Sequence, residues 1–183
     1  MRVIGIGLNK TGTTSLAAAL NRLGIPCVHN PSLQKMAKIL QRKLPEFQAC
    51  CDYPVWIHWL ALVAVYPKAK FILTWRPLDD WLVSRMAHVL RNQLRGRGWR
   101  SMDPEQDRRD WEQHNRAVRE FFAGRQNFLE LHICDGEGYE KLCPFLDLSQ
   151  PAAAFPHKRR ADEELKRLAA GKLYVADEPA ILG

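Results

Sequence analysis

A lysine, two glycines and a run of hydroxyl residues crowd one short stretch near the start of this 183-residue chain. Gly7 is followed by Lys10, Thr11, Gly12, Thr13, Thr14 and Ser15. An apolar run, Val3-Ile4-Gly5-Ile6-Gly7, precedes them, and Leu16, Leu20 and Leu23 follow at helical spacing before Gly24. The pattern predicts strand, glycine-bearing turn and helix. In that order, backbone N–H groups and the positive end of the helix dipole converge on one point, which suits a phosphate-like anion. Gly7 and Gly12 allow backbone angles and close approach that a side chain would forbid. The three hydroxyls add donors, and Lys10 adds a mobile positive charge.

The glycine spacing matches a Walker-type phosphate loop, but Thr13 stands after Gly12 where such a loop has its lysine. The lysine is upstream, at Lys10. This displacement speaks against an ordinary ATPase or kinase, whose lysine reaches the β and γ phosphates. The plainer reading is a turn whose Thr or Ser merely caps the helix.

The elements that must position this loop alternate along the chain. Ile25–His29 reads as a second strand, with a helix capped by Ser32 to about Lys43 and Leu33, Met36, Ala37 and Leu40 facing inward. Ala49–Asp52 reads as a strand end carrying Asp52 outward. A helix from Pro54 through Val65 would show an apolar face of Trp56, Trp59, Leu60 and Val63. The clearest strand, Ala69–Trp75, ends at Arg76-Pro77, and Pro77 opens a helix to about Leu94. Gly96 and Gly98, with Arg95, Arg97 and Arg100, form a basic loop. A helix from Asp103 to about Ala123, a strand over Asn127–Ile133, a helix over Gly138–Leu146 and a last helix over 162–170 complete the pattern. With neither repeat nor linker, the chain predicts one α/β domain, residues 1–183, with a mainly parallel sheet and a phosphate-loop architecture. Ligands of such sheets bind beyond the carboxyl ends of the strands, where Lys10, Asp52 and Arg76 would gather.

Lys and Arg exceed Asp and Glu by seven (27 − 20), which favours an anionic ligand. The basic residues are scattered and no aromatic-interleaved basic motif appears, so nucleic acid is not expected. No apolar run reaches the roughly 18 residues of a membrane span, and the strand at the amino terminus leaves no room for a signal peptide. A cytoplasmic protein is expected. The five cysteines form no CxxC pair, which speaks against zinc and against a disulfide framework. Cys50 and Cys51 read as reduced core residues.

Taken together, these residues resemble a family. Val3–Leu23 is similar to the 5′-phosphate loop of sulfotransferases that use 3′-phosphoadenosine 5′-phosphosulfate (PAPS), with a lysine three residues before the Thr-Thr pair. Tyr66-Pro67, then Lys70–Pro77, with Ser84 eight positions after Arg76, resembles the family's 3′-phosphate motif. Phe155–Arg160 is a weaker match to a basic loop that closes over the nucleotide, through Lys158, Arg159 and Arg160. The short chain looks closest to the small sulfotransferases.

The resemblance implies a sulfuryl donor, PAPS, and a small-molecule or carbohydrate-like acceptor bearing a hydroxyl or amine. Lys10 would act on the oxygen bridging sulfur and the 5′ phosphate, while Thr11, Gly12, Thr13, Thr14 and Ser15 would hold that phosphate. Arg76 and Ser84 would hold the 3′ phosphate. The sulfuryl group carries less charge than a γ-phosphoryl group, so no metal is expected. An acceptor hydroxyl also needs a base. Asp52, before Tyr53-Pro54, resembles the acidic residue of some carbohydrate sulfotransferases, and a partly dry cleft would raise its pKa. The competing reading makes Asp52 a helix N-cap. His88, on the helical face of Ser84, and His58 are the rival bases. Two alternatives stay open: a nucleotide or small-metabolite kinase, and a non-catalytic module that binds a nucleotide or other polyanion.

Overall fold

The computed structural model describes residues 1–96 and 102–157. The cluster Lys158, Arg159 and Arg160, the arginines of the 97–101 loop and the expected helix over 162–170 lie outside these residues.

Five strands form one parallel sheet. They are β1 (Val3–Gly5), β2 (Cys27–His29), β3 (Ala49–Cys51), β4 (Lys70–Thr74) and β5 (Phe128–Leu131), in the spatial order β2-β3-β1-β4-β5. Each strand is followed by a helix or a crossover, as parallel neighbours require. The helices are α1 (Thr13–Arg22), α2 (Leu33–Leu40), α3 (Trp59–Val65), α4 (Leu78–Leu94), α5 (Pro104–Phe122) and α6 (Tyr139–Leu146), with a single 3₁₀ turn over Ile133–Asp135. The α/β architecture read from the sequence is therefore the observed one.

Strand alternation divides the core into two layers. Val3, Ala49, Cys51, Ile72 and Leu131 pack under α1 and α6, against Leu16, Leu20, Leu142 and Leu146. Ile4, Cys50, Phe71 and Leu73 point the other way, into Met36, Ile39, Trp59, Leu62, Val118 and Phe122. Because both faces are covered, the strands read as nearly continuous apolar runs. Cys27, Cys50, Cys51 and Cys143 are buried free thiols; burial pushes the Cys50 thiol up, and the hydrogen bond with Cys27, then burial, does the same for Cys51.

Two helices differ from their expected form. α3 begins at Trp59, because residues 52–58 fold into tight turns in which the N–H groups of Val55, Ile57 and His58 reach the carbonyls of Asp52, Pro54 and Val55. The later start rotates the apolar face, so Trp59 and Leu62 are buried while Leu60 is 57% exposed. In α2 the inner face is Met36 and Ile39, and Leu33, in the first turn, is 67% exposed.

β1 is central, and the chain leaves it toward β3 and β2 on one side and β4 and β5 on the other. Such a reversal, at the carboxyl end of β1, is the place where sheets of this kind bind ligands. The turn between β1 and α1 lies there.

Candidate active site

The turn is built into the sheet edge. The Thr11 hydroxyl donates to the Leu8 carbonyl at 2.6 Å and lies 2.6 Å from the Thr74 hydroxyl at the end of β4. A Cβ on Gly7 would stand 2.1 Å from Thr74 Oγ1 and 2.4 Å from its carbonyl oxygen, so only glycine fits this approach. From α4, Trp81 Nε1 donates to the Asn9 carbonyl at 2.8 Å. From α5, His114 Nε2 bonds to the Ile6 carbonyl at 2.8 Å. Three elements, β4, α4 and α5, thus fix the loop before any ligand arrives.

Within it, Lys10 has φ +70° and Gly12 φ +100°. A non-glycine residue in the left-handed region is held there by its surroundings and concentrates at functional sites. Gly12 is the N-cap of α1, and no side chain caps the helix. The capping reading of Thr13, Thr14 and Ser15 therefore does not hold. The Thr13 and Thr14 hydroxyls are directed elsewhere. Thr13 Oγ1 donates to Asp52 Oδ2 at 3.1 Å, and Thr14 Oγ1 lies 3.3 Å from His29 Nε2.

Asp52 follows β3, the neighbour of β1, at φ +74°. Its Oδ1 accepts the Tyr53 N–H at 2.7 Å and its Oδ2 lies 2.8 Å from His29 Nε2. It does not cap α3, whose N-cap is His58. Burial pushes the Asp52 carboxyl upward. Hydrogen bonding and attraction from His29, with the Tyr53 N–H and Thr13 hydroxyl, outweigh that push and hold it below the ordinary carboxylate range. The expected upward shift is thus corrected: Asp52 is an ionised carboxylate with three donors.

His29, the last residue of β2, was not among the expected site residues. Its position obeys the same rule that pointed to Lys10, Asp52 and Arg76, a polar residue closing a strand at the carboxyl edge. Along that edge the order is His29, Asp52, the Lys10 loop and Arg76.

Arg76 joins β4 to α4 and is partly buried, and its buried Nε has no hydrogen-bond partner among the described residues. Arg76 and Lys10 both oppose the rise that burial gives the Cys134 thiol pKa. Ser84 is 1% exposed on the inward face of α4. One turn on, His88 Nδ1 lies 2.7 Å from Arg91 Nη2 and Nε2 lies 3.0 Å from the Asn92 amide. Burial, then the charges of Lys10, Arg91 and Arg85, push the His88 imidazole down to about 3 against the pull of Asp52. His88 therefore borders the cluster as a neutral ring. Among the described residues no group of three or more His, Cys, Asp or Glu side chains is arranged to hold a metal ion.

Fold and loop together define an α/β protein with a glycine-bearing loop at the centre of its parallel sheet's carboxyl edge. A profile of the sulfotransferase domain matches residues 2–100 and 84–164, and the chain belongs to that family. It is also 26% identical, over a 220-residue alignment, to Ava biosynthesis cluster protein M of Aspergillus versicolor, covering 91% of this chain and 84% of that protein. No helix among the described residues is long and apolar enough to cross a membrane.

Proposed function

We propose that this protein transfers a sulfuryl group from PAPS to the hydroxyl or amine of a small-molecule or carbohydrate-like acceptor, releasing adenosine 3′,5′-bisphosphate. The observation that carries the reading is the loop itself. Its lysine is displaced upstream of the second glycine, its helix start is uncapped by side chains, and at the end of the adjacent strand stands a cation whose buried nitrogen has no partner among the described residues.

In this reading the loop N–H groups with Thr11, Gly12, Thr13, Thr14 and Ser15 bind the 5′ phosphate. Lys10 neutralises charge on the oxygen that leaves sulfur, a role that needs its donor placed before the reaction starts. Arg76 presents a planar fork to the 3′ phosphate, assisted by Ser84. Lys158, Arg159 and Arg160 are proposed to close over the nucleotide. Asp52 and His88 border the space where the acceptor would attack sulfur in line, and the carboxylate side of that space handles the acceptor's proton.

Melting shifts test the assignment. Adenosine 3′,5′-bisphosphate is expected to raise the melting temperature equally with and without Mg²⁺, and Arg76→Ala to diminish the shift. A larger, Mg²⁺-dependent shift with ATP would overturn the reading in favour of a kinase.

A further inference from the structure

We infer that His29 is the group that takes the acceptor's proton, with Asp52 holding its imidazole in the required tautomer. This rests on the sulfuryl-transfer reading above and names a residue that reading did not use.

Three observations carry it. First, His29 Nε2 lies 2.8 Å from Asp52 Oδ2. An ionised carboxylate only accepts, so the short contact places the ring proton on Nε2. The Thr14 and Thr13 hydroxyls, 3.3 and 3.4 Å from the same nitrogen, surround that N–H. Second, the lone pair is thereby left on Nδ1, for which the described residues supply no hydrogen-bond partner. The side chain is 26% exposed, so the ring is reached by solvent. Third, the alternatives are engaged. All three donors to Asp52 stabilise its charge, which makes it a weak base and a strong orienter. His88 has a donor beside each nitrogen, Arg91 Nη2 at 2.7 Å and Asn92 Nδ2 at 3.0 Å, so its one lone pair faces a donor whichever tautomer it holds, and Lys10, Arg91 and Arg85 oppose its charge.

Carboxylate, imidazole and open nitrogen form the arrangement that elsewhere activates weak nucleophiles, in which the carboxylate fixes the tautomer and stabilises the cation. The step balances. The acceptor O–H bond breaks as its proton joins Nδ1, and the oxygen forms a bond to sulfur. The bond from sulfur to the 5′-phosphate oxygen breaks, and its electron pair leaves with the bisphosphate, against Lys10. His29 becomes an imidazolium paired with Asp52, and the proton later passes to solvent.

Nitrogen-15 imidazole spectra of the full chain at pH 8, with transfer assays on an acidic nitrophenol and on aliphatic alcohols, test this directly. The expected His29 signal is the tautomer protonated on Nε2, and Asp52→Asn is expected to weaken that preference. His29→Gln is expected to slow transfer to an alcohol about 10²-fold or more, and to slow transfer to the nitrophenol, which ionises unaided, far less. Its affinity for adenosine 3′,5′-bisphosphate should match the parent protein's, confirming an intact fold. A proton on Nδ1, or equal rates for His29→Gln and the parent, overturns the assignment. Failure of the parent protein to bind the bisphosphate would instead overturn the donor reading on which it stands.

Discussion

His88 shows how one side chain reports its surroundings. Its imidazole sits at about 3 because burial and three cations oppose its charge. His114 is also shifted down by burial, despite its bond to the Ile6 carbonyl. Both rings stay neutral in the folded chain, whereas the unfolded chain protonates them near their ordinary value of about 6.5. The unfolded state then binds more protons as the pH falls, so stability is complete above about 6.5 and declines toward pH 3. Thermal melts between pH 7 and pH 5 should show a falling midpoint, and His88→Gln should flatten part of that fall while His114 retains the rest. A midpoint independent of pH would contradict the placement of both rings.

The same scale shows what residue types could and could not reveal. Lys10, Gly12 and Arg76 were legible because a phosphate loop needs special backbone and a cation at set positions, and such requirements leave marks on spacing. His29 left no such mark. It acquires its role from a partner 23 positions along the chain, in the neighbouring strand, where His29 is in register with Cys51 and therefore beside Asp52. Pairing of that kind belongs to tertiary structure. The direction of the Asp52 shift was hidden for the same reason, since burial alone argues upward and only its three donors reverse it.

Among the elements, α4 and α5 brace the turn after β1. Arg85 and Asp107 form an ion pair at 3.0 Å with side chains 8% and 1% exposed, and the Arg85 guanidinium lies over the Trp81 ring. Trp81 in turn bonds to the loop at Asn9. Removing one partner strands a buried charge, so Asp107→Ala should cost about 3–5 kcal/mol, lowering the melting midpoint by roughly 10 °C in a chain of this size. A loss below about 1 kcal/mol would place the pair in solvent and remove this link between helix wall and loop. The prolines Pro77 and Pro104 marked both helix starts in the sequence, but nothing marked the ion pair, because a charged residue on an otherwise polar helix looks like surface until its partner is known. The start of α3 was missed for a related reason. Pro54 suits the first turn of a helix, yet residues 52–58 meet their backbone hydrogen bonds in tight turns beside Asp52.

For the whole molecule, the central claim is that one sheet edge carries two separate anion sites. The order β2-β3-β1-β4-β5 sets the Lys10 loop after β1 and Arg76 after the adjacent β4, with the Thr11–Thr74 contact fastening the two ends together. A ligand with phosphates at both ends of an adenosine would span them. Titration calorimetry with adenosine 3′,5′-bisphosphate and with 5′-AMP, on the parent protein and on Arg76→Ala, measures the second site alone. The parent is expected to prefer the bisphosphate by at least about tenfold, the scale of one charge-assisted contact, and Arg76→Ala to bind both nucleotides equally. Undiminished preference for the bisphosphate in Arg76→Ala would contradict the account.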